Sequence, residues 1–462
     1  MEYLSGKKVC VLGLGLSGKS AVNLLLEKKA HVIAIDDFQD CLSPKDIEDY
    51  KERGVTFFIG TDVTFPVNRI DMAVVSPGIS SEHSFVKELV ARCIPLLGEL
   101  ELGWRELQCP CIAISGTNGK TTVTGWMVKM LRENGYQVIA AGNIGTPLCD
   151  VALKSGELSS LVLEVSSFQL ESVDSFKPEI ALLLNVAEDH LDRHGSIDNY
   201  LRIKARLFEN QKEDDYAIIQ WEILQRFKQM EIFLPSKTLT FSDSEESANL
   251  YLKGSLIKSR MSGWPDTVLD LNRCDFRGSH NAANLMASLL AGRASGLPLE
   301  KMIQTSLEFQ SGAHRCEFIA ERNGVKFYND SKATNVHALI SALHSMPDNE
   351  GDRKNIWLIA GGQNKAFDFR TMSQDTMRRV KSVYLLGEAS AEMRSAWQSF
   401  VPCNLVGDMI EAVFKAGRCA VPGDVVLLSP ACASFDMFDS YQHRGESYCA
   451  AVQQLLNTMK GV

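Results

Sequence analysis

Short runs of Val, Ile and Leu recur along the chain, and each is followed by a polar loop and then by a segment whose apolar residues have helical spacing. This alternation is typical of parallel sheets whose strands are connected by helices. The runs fall into three series, which predicts three α/β domains of ordinary size. The predicted strands cover residues 9–12, 31–35, 72–75, 111–114, 161–165, 180–186, 356–360, 382–386 and 424–428.

A polar stretch, residues 235–266, separates the second series from the third. Within it, the apolar residues of segment 250–252 can face those of segment 256–257 across the pair Lys253-Gly254. We therefore predict a β-hairpin that elaborates the middle domain.

Composition and charge exclude several classes of protein. The chain has 462 residues, with 48 Lys and Arg against 57 Asp and Glu, so its net charge of -9 offers no overall positive field for nucleic acid. No run of 18 apolar residues predicts a membrane span, and the twelve cysteines show neither a disulfide framework nor a zinc-binding spacing. We expect a cytoplasmic protein that does not insert into membranes.

A glycine-rich segment, Gly13-Leu14-Gly15-Leu16-Ser17-Gly18, follows the first predicted strand, and Asp36 and Asp37 end the next one. Glycines at such a turn let the backbone approach a pyrophosphate at the N-terminus of a helix, and the acids stand where a ribose-binding carboxylate is expected. The pattern indicates a nucleotide or dinucleotide site. A turn without any ligand is the alternative.

Residues 115–122, Ser-Gly-Thr-Asn-Gly-Lys-Thr-Thr, lie between the strand at 111–114 and a helical stretch that begins near Val123. This is the setting of a phosphate loop, although Ile114 stands where the general pattern has its first glycine. Lys120 would neutralise the β- and γ-phosphates and the hydroxyl of Thr121 would reach Mg²⁺. The predicted nucleotide-binding residues of the loop are Gly116, Thr117, Asn118, Gly119, Lys120, Thr121 and Thr122.

Acidic residues follow two further strands. Glu164 stands at a strand end, where a carboxylate can hold the metal beside a phosphate loop, although a solvated acid is the alternative. Residues 185–193 bring three acids and His190 into one loop, and so dense a polar cluster after a strand favours a functional site.

The helix expected after this loop carries a lysine in an unusual place. Lys204 lies on the side of the apolar stripe that includes Tyr200 and Leu207, whereas Arg202 and Arg206 point elsewhere. A lysine there has to extend its amine to water, find a partner or change its chemistry, because an unpaired buried ammonium is costly. Extension to water is the usual solution.

Further polar segments stand at or near predicted strand or helix ends, at residues 280–284, 313–317, 329–335, 361–365 and 428–436. Residues 280–284 either cap a helix or direct polar groups at a base. Basic and hydroxyl side chains dominate the others, which suits an anionic ligand better than a neutral one.

Taken together and in this order, these segments resemble the Mur ligase family of ATP-dependent amide-forming ligases over essentially the whole chain. The phosphate loop and residues 280–284 are shared by the wider family, including folylpolyglutamate synthase. The segments 13–15, 76–79, 142–145, 166–170, 330–335 and 428–436 are most similar to those of the branch that adds D-glutamate. The tetrapeptide Asp-Asn-Pro-Arg of the diamino-acid-adding branch is absent.

The resemblance implies an α/β protein of three domains. An N-terminal Rossmann-like domain over 1–98 would bind a UDP-linked substrate, a central P-loop ATPase domain over 99–312 would bind ATP, and a C-terminal Rossmann-like domain over 313–462 would bind the amino acid. We expect the chain to act as a monomer.

The implied reaction belongs to peptidoglycan precursor synthesis. ATP would phosphorylate the carboxylate of UDP-N-acetylmuramoyl-L-alanine, and the amine of D-glutamate would attack the acyl phosphate. The alternatives are another Mur ligase, a ligase like folylpolyglutamate synthase, or an NAD-dependent oxidoreductase. The last is favoured only by the segment 13–18 and Asp36, and it leaves the phosphate loop unexplained.

The resemblance also assigns residues to each ligand. Lys120, His190 and Lys204 are implied as catalytic, with Thr121 and Glu164 on one Mg²⁺ and His190 and a carbamylated Lys204 on a second. The implied contacts of the UDP-linked substrate are Leu16, Ser17, Asp37, Ser76 and Asn143. Those of ATP outside the phosphate loop are Asn281, Arg315 and Asp330. Those of D-glutamate are Thr334, Lys365, Ser434, Phe435 and Tyr441, of which Tyr441 stands where the family usually has Phe.

Overall fold

The computed structural model describes residues 3–61, 70–274, 278–309, 312–347, 353–364 and 367–458. This part of the chain forms three sheets, of five, nine and six strands, in which parallel neighbours predominate and which helices cover. The predicted three-domain α/β class is therefore confirmed. Every predicted strand is present, with its ends displaced by no more than three residues.

The first sheet is parallel throughout, in the order β3-β2-β1-β4-β5. Its strands are β1 (Lys8–Leu12), β2 (His31–Asp36), β3 (Thr56–Ile59), β4 (Met72–Val75) and β5 (Leu96–Gly98), and its helices are α1 (Leu16–Glu27), α2 (Pro44–Glu52) and α3 (Ser84–Ala91). β1 is buried from Val9 onwards because both faces of the sheet are covered.

The second sheet has the order β14-β13-β12-β11-β10-β9-β6-β8-β7, and it is parallel except for the antiparallel pairs β12·β13 and β13·β14. Its strands are β6 (Cys111–Ser115), β7 (Val138–Gly142), β8 (Ser160–Glu164), β9 (Ile180–Leu183), β10 (Tyr216–Gln220), β11 (Lys237–Ser242), β12 (Leu250–Lys253), β13 (Leu256–Ser259) and β14 (Thr267–Asp270). The predicted hairpin is β12·β13, in which Leu252 is opposite Ile257.

The helices around the second sheet supply most of its core. They are α4 (Glu99–Trp104), α5 (Lys120–Glu133), α6 (Leu148–Ala152), α7 (Ser167–Leu170), α8 (Leu191–His194), α9 (Ile197–Ala205), α10 (Trp221–Gln229), α11 (Ser279–Ala294) and α12 (Leu299–Leu307). α5 buries Val123, Trp126, Met127 and Met130, which recur at three- and four-residue intervals on one face. α4 packs against both α1 and α6 and so joins the first sheet to the second.

The third sheet has the order β15-β16-β20-β17-β18-β19, with only the edge strand β15 antiparallel to its neighbour. Its strands are β15 (Glu317–Arg322), β16 (Val325–Asn329), β17 (Ile356–Gly361), β18 (Val380–Leu386), β19 (Cys403–Leu405) and β20 (Val425–Leu428), and its helices are α13 (Val336–Ser345), α14 (Ser390–Trp397), α15 (Met409–Cys419) and α16 (Tyr441–Thr458).

The strand order places the chemistry of the second sheet. β6 lies between β8 and β9. The connections that follow β6 therefore lead first to strands on one side of it, β7 and β8, and then to β9 on the other side. In open parallel sheets a crevice forms outside the strand ends at such a point. The phosphate loop, Glu164 and the loop after β9 therefore converge there.

None of the helices in the described part of the chain is both long and apolar enough to span a membrane.

Candidate functional site

The segment 115–120 turns tightly from β6 into α5. Gly116 and Gly119 both have positive φ angles, of 155° and 86°. A Cβ atom at Gly119 would lie 2.3 Å from Oδ1 of Asn284 on α11, so a side chain is excluded there by contact as well as by conformation. The loop backbone is thereby packed directly against the helix that begins with residues 279–284.

Lys120 is the first residue of α5, and its side chain folds back over the loop. Its Nζ donates to the carbonyl oxygens of Gly116, at 2.7 Å, and of Thr117, at 3.0 Å. Burial lowers the pKa of Lys120, and the carboxylates of Glu164 and Asp189 oppose that shift. The amine is thus held at the mouth of the loop, where an anion would be its strongest partner.

Thr121, in the first turn of α5, meets Glu164 at the carboxyl end of β8. The Thr121 hydroxyl donates to Oε2 of Glu164 at 2.8 Å, and the amide of Asn143 donates to Oε1 at 3.0 Å. Both carboxylate oxygens are therefore oriented by neighbours, with one of them facing the first turn of α5. A hydroxyl and a carboxylate at this spacing are the oxygen donors that Mg²⁺ prefers.

The loop after β9 closes the other side of the phosphate loop. Asn185 accepts from the backbone N–H of Asn118 at 2.8 Å and donates to its carbonyl at 2.9 Å. His190 has a positive φ of 53°, packs edge-on against Phe168 with ring centroids 4.7 Å apart, and lies beside Asp189 with 3.7 Å between Nε2 and Oδ1. The structure thus brings His190 into the same crevice as Lys120.

Lys204 is 1% exposed, so the usual solution of extending its amine to water is wrong here. Its Nζ contacts the Ser115 hydroxyl at 3.4 Å and lies 4.6 Å from the ring centroid of Tyr200. Burial, together with repulsion from Lys120, lowers the pKa of Lys204 well below its usual range, and Asp189 only partly opposes this. The side chain lies beneath the phosphate loop, on the inner side of α9.

A cavity of about 250 Å³ lies between the second and third sheets and collects most of the predicted residues. Predicted site residues on its wall are Thr117, Asn118, Gly119, Lys120, Thr121, Thr122, Asn143, Glu164, His190, Asn281, Arg315, Asp330 and Thr334. Gly116 contributes the carbonyl that Lys120 binds, whereas Lys204 lies behind the wall. Residues more than 200 positions apart thus form one polar site.

Asp330 and Arg315 enter this cavity from the third sheet. Asp330 accepts from the Ser429 hydroxyl at 2.8 Å and from the backbone N–H of Cys316 at 3.1 Å. Burial nevertheless raises its pKa to about 7. Burial also lowers the pKa of Arg315, with the carboxylate of Glu164 as the largest opposing influence.

The residues predicted for the amino acid are spread over neighbouring loops of the third sheet. Among those that the structure describes, Thr334 alone lines the cavity; Ser434 is buried, and Phe435 is 68% exposed. Tyr441 begins α16, and its ring lies 3.7 Å from the amine of Lys332, which does line the cavity. Lys365 lies outside the described residues.

A separate cavity of about 520 Å³ lies at the carboxyl edge of the first sheet. Leu16, Ser17, Asp37 and Ser76 all line it, as predicted for one ligand. Asn143, predicted for the same ligand, lies on the wall of the 250 Å³ cavity instead, so a ligand that touches all five has to extend from one cavity to the other.

The two acids at the end of β2 have different partners. Asp36 accepts from the backbone N–H groups of Leu14, at 2.6 Å, and Phe38, at 2.9 Å, so it organises the glycine-rich turn. Asp37 faces the cavity and pairs with Nε2 of His83 at 2.9 Å. The carboxylate that a ribose-binding role would require at position 36 is therefore already occupied by backbone.

Comparison with known proteins agrees with this arrangement. Three family models match in succession: "Mur ligase MurD-like, N-terminal domain" over 7–98, "Mur ligase middle domain" over 114–292, and "Mur ligase, glutamate ligase domain" over 314–432. A protein of Thermoanaerobacter pseudethanolicus named UDP-N-acetylmuramoylalanine–D-glutamate ligase is 36% identical over 98% of this chain and 99% of its own. A protein of the same name from Desulfosudis oleivorans is 37% identical over 97% of this chain and 96% of its own. The chain belongs to the Mur ligase family.

Solved Mur ligases share the fold at much lower identity. UDP-N-acetylmuramate-alanine ligase MurC from Thermotoga maritima matches with a TM-score of 0.59 and 13% identity, over 97% of this chain and 99% of that one. MurF ligase from Thermotoga maritima, solved with ADP, matches with a TM-score of 0.58 and 15% identity, over 99% and 97%. These likenesses support the three-domain architecture of this Mur ligase and nothing finer.

Two arginines that sequence reasoning missed, the half-buried Arg193 and the buried Arg444, hold the loops of this Mur ligase in place. Arg193 pairs with Glu171 and also donates to the carbonyls of Pro77, at 2.8 Å, and Ile79, at 3.2 Å, which ties the first domain to the second. Arg444 is 1% exposed and donates to backbone carbonyls in the loops that follow the neighbouring strands β16 and β20. Its acceptors are Ser331, Cys432 and Ala433.

The sequence gives little indication of either role. Arg193 ends the acid-rich segment 185–193, which was the available signal, but its carbonyl partners are more than 100 residues away. Arg444 falls within an ordinary helical pattern, so only the packed loops reveal its role.

Proposed function

We propose that this Mur ligase joins D-glutamate to UDP-N-acetylmuramoyl-L-alanine at the expense of ATP, as a step of peptidoglycan precursor synthesis. The observation that carries the proposal is the similarity, over nearly the full length of both chains, to proteins named for that reaction. The phosphate loop beside Glu164 gives it a chemical basis, because acyl phosphorylation needs phosphate binding and charge neutralisation at one place.

ATP is proposed to occupy the cavity of about 250 Å³. The backbone N–H groups of residues 116–122 would surround the phosphates, and Lys120 would exchange its two carbonyl partners for phosphate oxygens. Asn281, Arg315 and Asp330 lie on the opposite wall and are proposed to bind the nucleoside.

The donor set of this site fits Mg²⁺. No three His, Cys, Asp or Glu side chains converge as a metal centre within the part of the chain that the structure covers. Mg²⁺ does not require such a cage, because it binds to one or two protein oxygens together with phosphate and water. Thr121 and Glu164 are proposed to hold one ion, which would screen the charge of the transferring phosphoryl group.

Lys204 is proposed to contribute to a second ion as a carbamate, together with His190. Burial lowers the pKa of the Lys204 amine, which favours the unprotonated, nucleophilic form. Its nitrogen would attack CO₂, forming a C–N bond and releasing one proton, and the resulting anion would supply oxygen ligands. Ser115, 3.4 Å from Nζ, is positioned to hydrogen bond to that group.

The two other substrates are proposed to approach from opposite sides. The UDP group would lie in the cavity of the first domain, against Leu16, Ser17, Asp37 and Ser76, with the muramyl portion reaching Asn143. D-Glutamate would be held by Thr334, Lys365, Ser434, Phe435 and Tyr441 of the third domain. The carboxylate to be activated then lies between Lys120 and the incoming amine.

Holding these groups together is the principal task of the protein in this reaction. Lys120 would neutralise charge on the phosphoryl group while the substrate carboxylate attacks it. The unprotonated amine of D-glutamate would then attack the acyl carbon, and inorganic phosphate would leave. His190 lines the same cavity as Lys120, and accepting the proton that the amine loses is the alternative to its proposed role on the second ion.

An NAD-dependent oxidoreductase is disfavoured by Asp36, whose carboxylate is already bound by the backbone of residues 14 and 38. An oxidoreductase function also does not account for the polar cavity between the second and third domains.

We propose domain boundaries after residues 98 and 312. The three sheets and the three matched segments lie on either side of these positions. We also propose that the monomer is the active form, because residues of a single chain suffice to line the polar cavity.

The test is release of phosphate by the purified protein with ATP, Mg²⁺, D-glutamate and UDP-N-acetylmuramoyl-L-alanine, with the mass of the product measured in parallel. L-Alanine, L-glutamate and meso-diaminopimelate replace D-glutamate as controls. Phosphate release that depends on both substrates, with a product heavier by one glutamyl residue, supports the proposal. Preference for another amino acid or another acceptor refutes it.

A further inference from the structure

The side chain of Asn118 connects the phosphate loop to the third domain. Nδ2 of Asn118 lies 2.9 Å from Nδ1 of His337, in the first turn of α13. The same amide exchanges longer contacts, of 3.3 and 3.5 Å, with Asn335. Asn335 in turn donates to Asp189 at 3.3 Å. His337 belongs to none of the motifs that the sequence singled out.

The surrounding bonds determine which atom carries the proton. Oδ1 of Asn335 caps α13 by accepting from the N–H of Ala338 at 2.8 Å, so its Nδ2 is the donor to Oδ1 of Asn118. Nδ2 of Asn118 is then the donor to His337. Nδ1 of His337 must therefore be unprotonated, which leaves a neutral ring with its proton on Nε2.

The electrostatic surroundings favour that neutral ring. Four titratable groups surround the contact. They are Asp243 after β11, His280 on α11, His344 on α13, and Asp189, which accepts from Asn335. Burial lowers the pKa of His337, and the carboxylate of Asp243 only partly opposes this. Burial also lowers the pKa of His280, to about 4, so it adds no positive charge near neutral pH.

The contact bears directly on phosphate binding. The backbone of Asn118 is held on both sides by Asn185, and Asn118 stands two residues before Lys120. A displacement of its side chain is therefore passed to the N–H groups that would surround a phosphate. We propose that His337 is a positioning residue, which docks the third domain on the phosphate loop through a hydrogen bond accepted from Asn118. The inference rests on the proposed function and extends it to a residue outside the motifs.

The test compares two substitutions that differ in one acceptor atom. H337N places Oδ1 where Nδ1 of the imidazole lies and cannot be protonated, whereas H337L offers no acceptor. H344N, at an exposed position of the same helix, is the matched control. Binding of Mg-ADP is measured by calorimetry, and kcat and KM for ATP and for the UDP-linked substrate are measured from pH 5 to pH 8.

H337L is expected to lose about 5- to 100-fold in kcat/KM for ATP and in Mg-ADP affinity, because the part-buried amide of Asn118 loses its short acceptor and keeps only the 3.5 Å contact with Asn335. KM for the UDP-linked substrate should change by less than about 2-fold, since that cavity is in the first domain. H337N should stay close to the wild type at pH 7.5 and keep its activity at lower pH than the wild type does, because no ring is left to take up a proton.

Wild-type behaviour of H337L, or an H337N variant as impaired as H337L at pH 7.5, overturns the proposal. If H337L does not give a cooperative thermal unfolding transition, H337N decides alone, and an acid limb identical to that of the wild type overturns it. Mg-ADP binding separates this outcome from a failure of the proposed function, since it requires neither of the other substrates.

Discussion

Replacement of Lys204 tests the central inference about the metal-binding region. Two variants are informative because they differ in the space they leave. Lys204→Ala removes three methylene groups and the amine from a side chain that is 1% exposed, whereas Lys204→Met fills nearly the same volume without a charge. Arg202→Ala, at an exposed position of α9, is the control. Arg206 is unsuitable because it donates to the carbonyls of Leu170 and Glu171.

The structure allows the stability of both variants to be estimated. Truncation of a buried side chain of this length costs about 2–5 kcal/mol through lost burial and the cavity that remains. Loss of the buried polar amine offsets roughly 1–3 kcal/mol of this cost, because within the described residues its close contacts are the Ser115 hydroxyl, at 3.4 Å, and the Tyr200 ring. Lys204→Met should therefore unfold at or above the wild-type temperature, and Lys204→Ala should be less stable than Lys204→Met by about 2–5 kcal/mol.

Activity should follow a different order from stability. Both variants should lose roughly 10²- to 10⁴-fold in kcat, because they lack the proposed carbamate ligand and metal-ion charge stabilisation contributes several kcal/mol to a transition state. Acetate or propionate should restore part of the activity of Lys204→Ala, whose cavity can admit a carboxylate, but not that of Lys204→Met. Phosphate release with and without added carboxylate is the assay.

Two results would refute this reasoning. One is a Lys204→Ala enzyme with wild-type turnover, which would remove the carbamate from the reaction. The other is equal restoration of both variants by carboxylates, which would place the added anion somewhere other than the vacated space.

Three further perturbations follow from the structure. Lys120→Ala should abolish ATP-dependent phosphate release with no large change in thermal unfolding, since the Lys120 amine donates to the loop carbonyls of Gly116 and Thr117. Turnover near the wild-type rate would exclude the loop from the reaction. Lys365→Ala should raise KM for D-glutamate much more than KM for ATP, because loss of a desolvated, charge-assisted contact costs roughly 2–4 kcal/mol of binding free energy. An unchanged KM for D-glutamate would locate the amino acid elsewhere. Burial raises the pKa of Glu99 from 4.5 to about 7. Between these two pH values the folded state keeps a proton that the unfolded chain has released. The free energy of unfolding should therefore fall as the pH rises through this interval, by up to about 1.4 kcal/mol per pH unit. Glu99→Gln should flatten this dependence in thermal unfolding measured between pH 5 and 8, and an unchanged slope would show that other groups produce it.

Local sequence pattern was sufficient wherever one stretch of chain carries the whole signal. The strand-to-helix turn at residues 115–120 is such a stretch, because β6, the glycines and α5 are contiguous and each restricts the backbone of the next. The hairpin β12·β13 is another, since its two strands and its turn lie within ten residues. Strands without a continuous apolar run, such as β15 and β16, gave no comparable signal, because their alternating exposure depends on neighbours that come from distant parts of the chain.

The site itself consists of contacts between residues far apart in sequence. Thr121 and Glu164 are 43 residues apart, and Asn118 and His337 are 219 apart, so no local periodicity can report either pair. The sequence identified Lys204 as a lysine on an apolar face and left its state open. Packing of α9 beneath the phosphate loop resolved this, because it closes the path to water and brings Lys120 near enough to repel a second positive charge. Hydrophobic spacing specifies which face of an element is buried, whereas the order of strands in the sheets specifies which polar groups meet. The chemistry of this protein depends on the strand order.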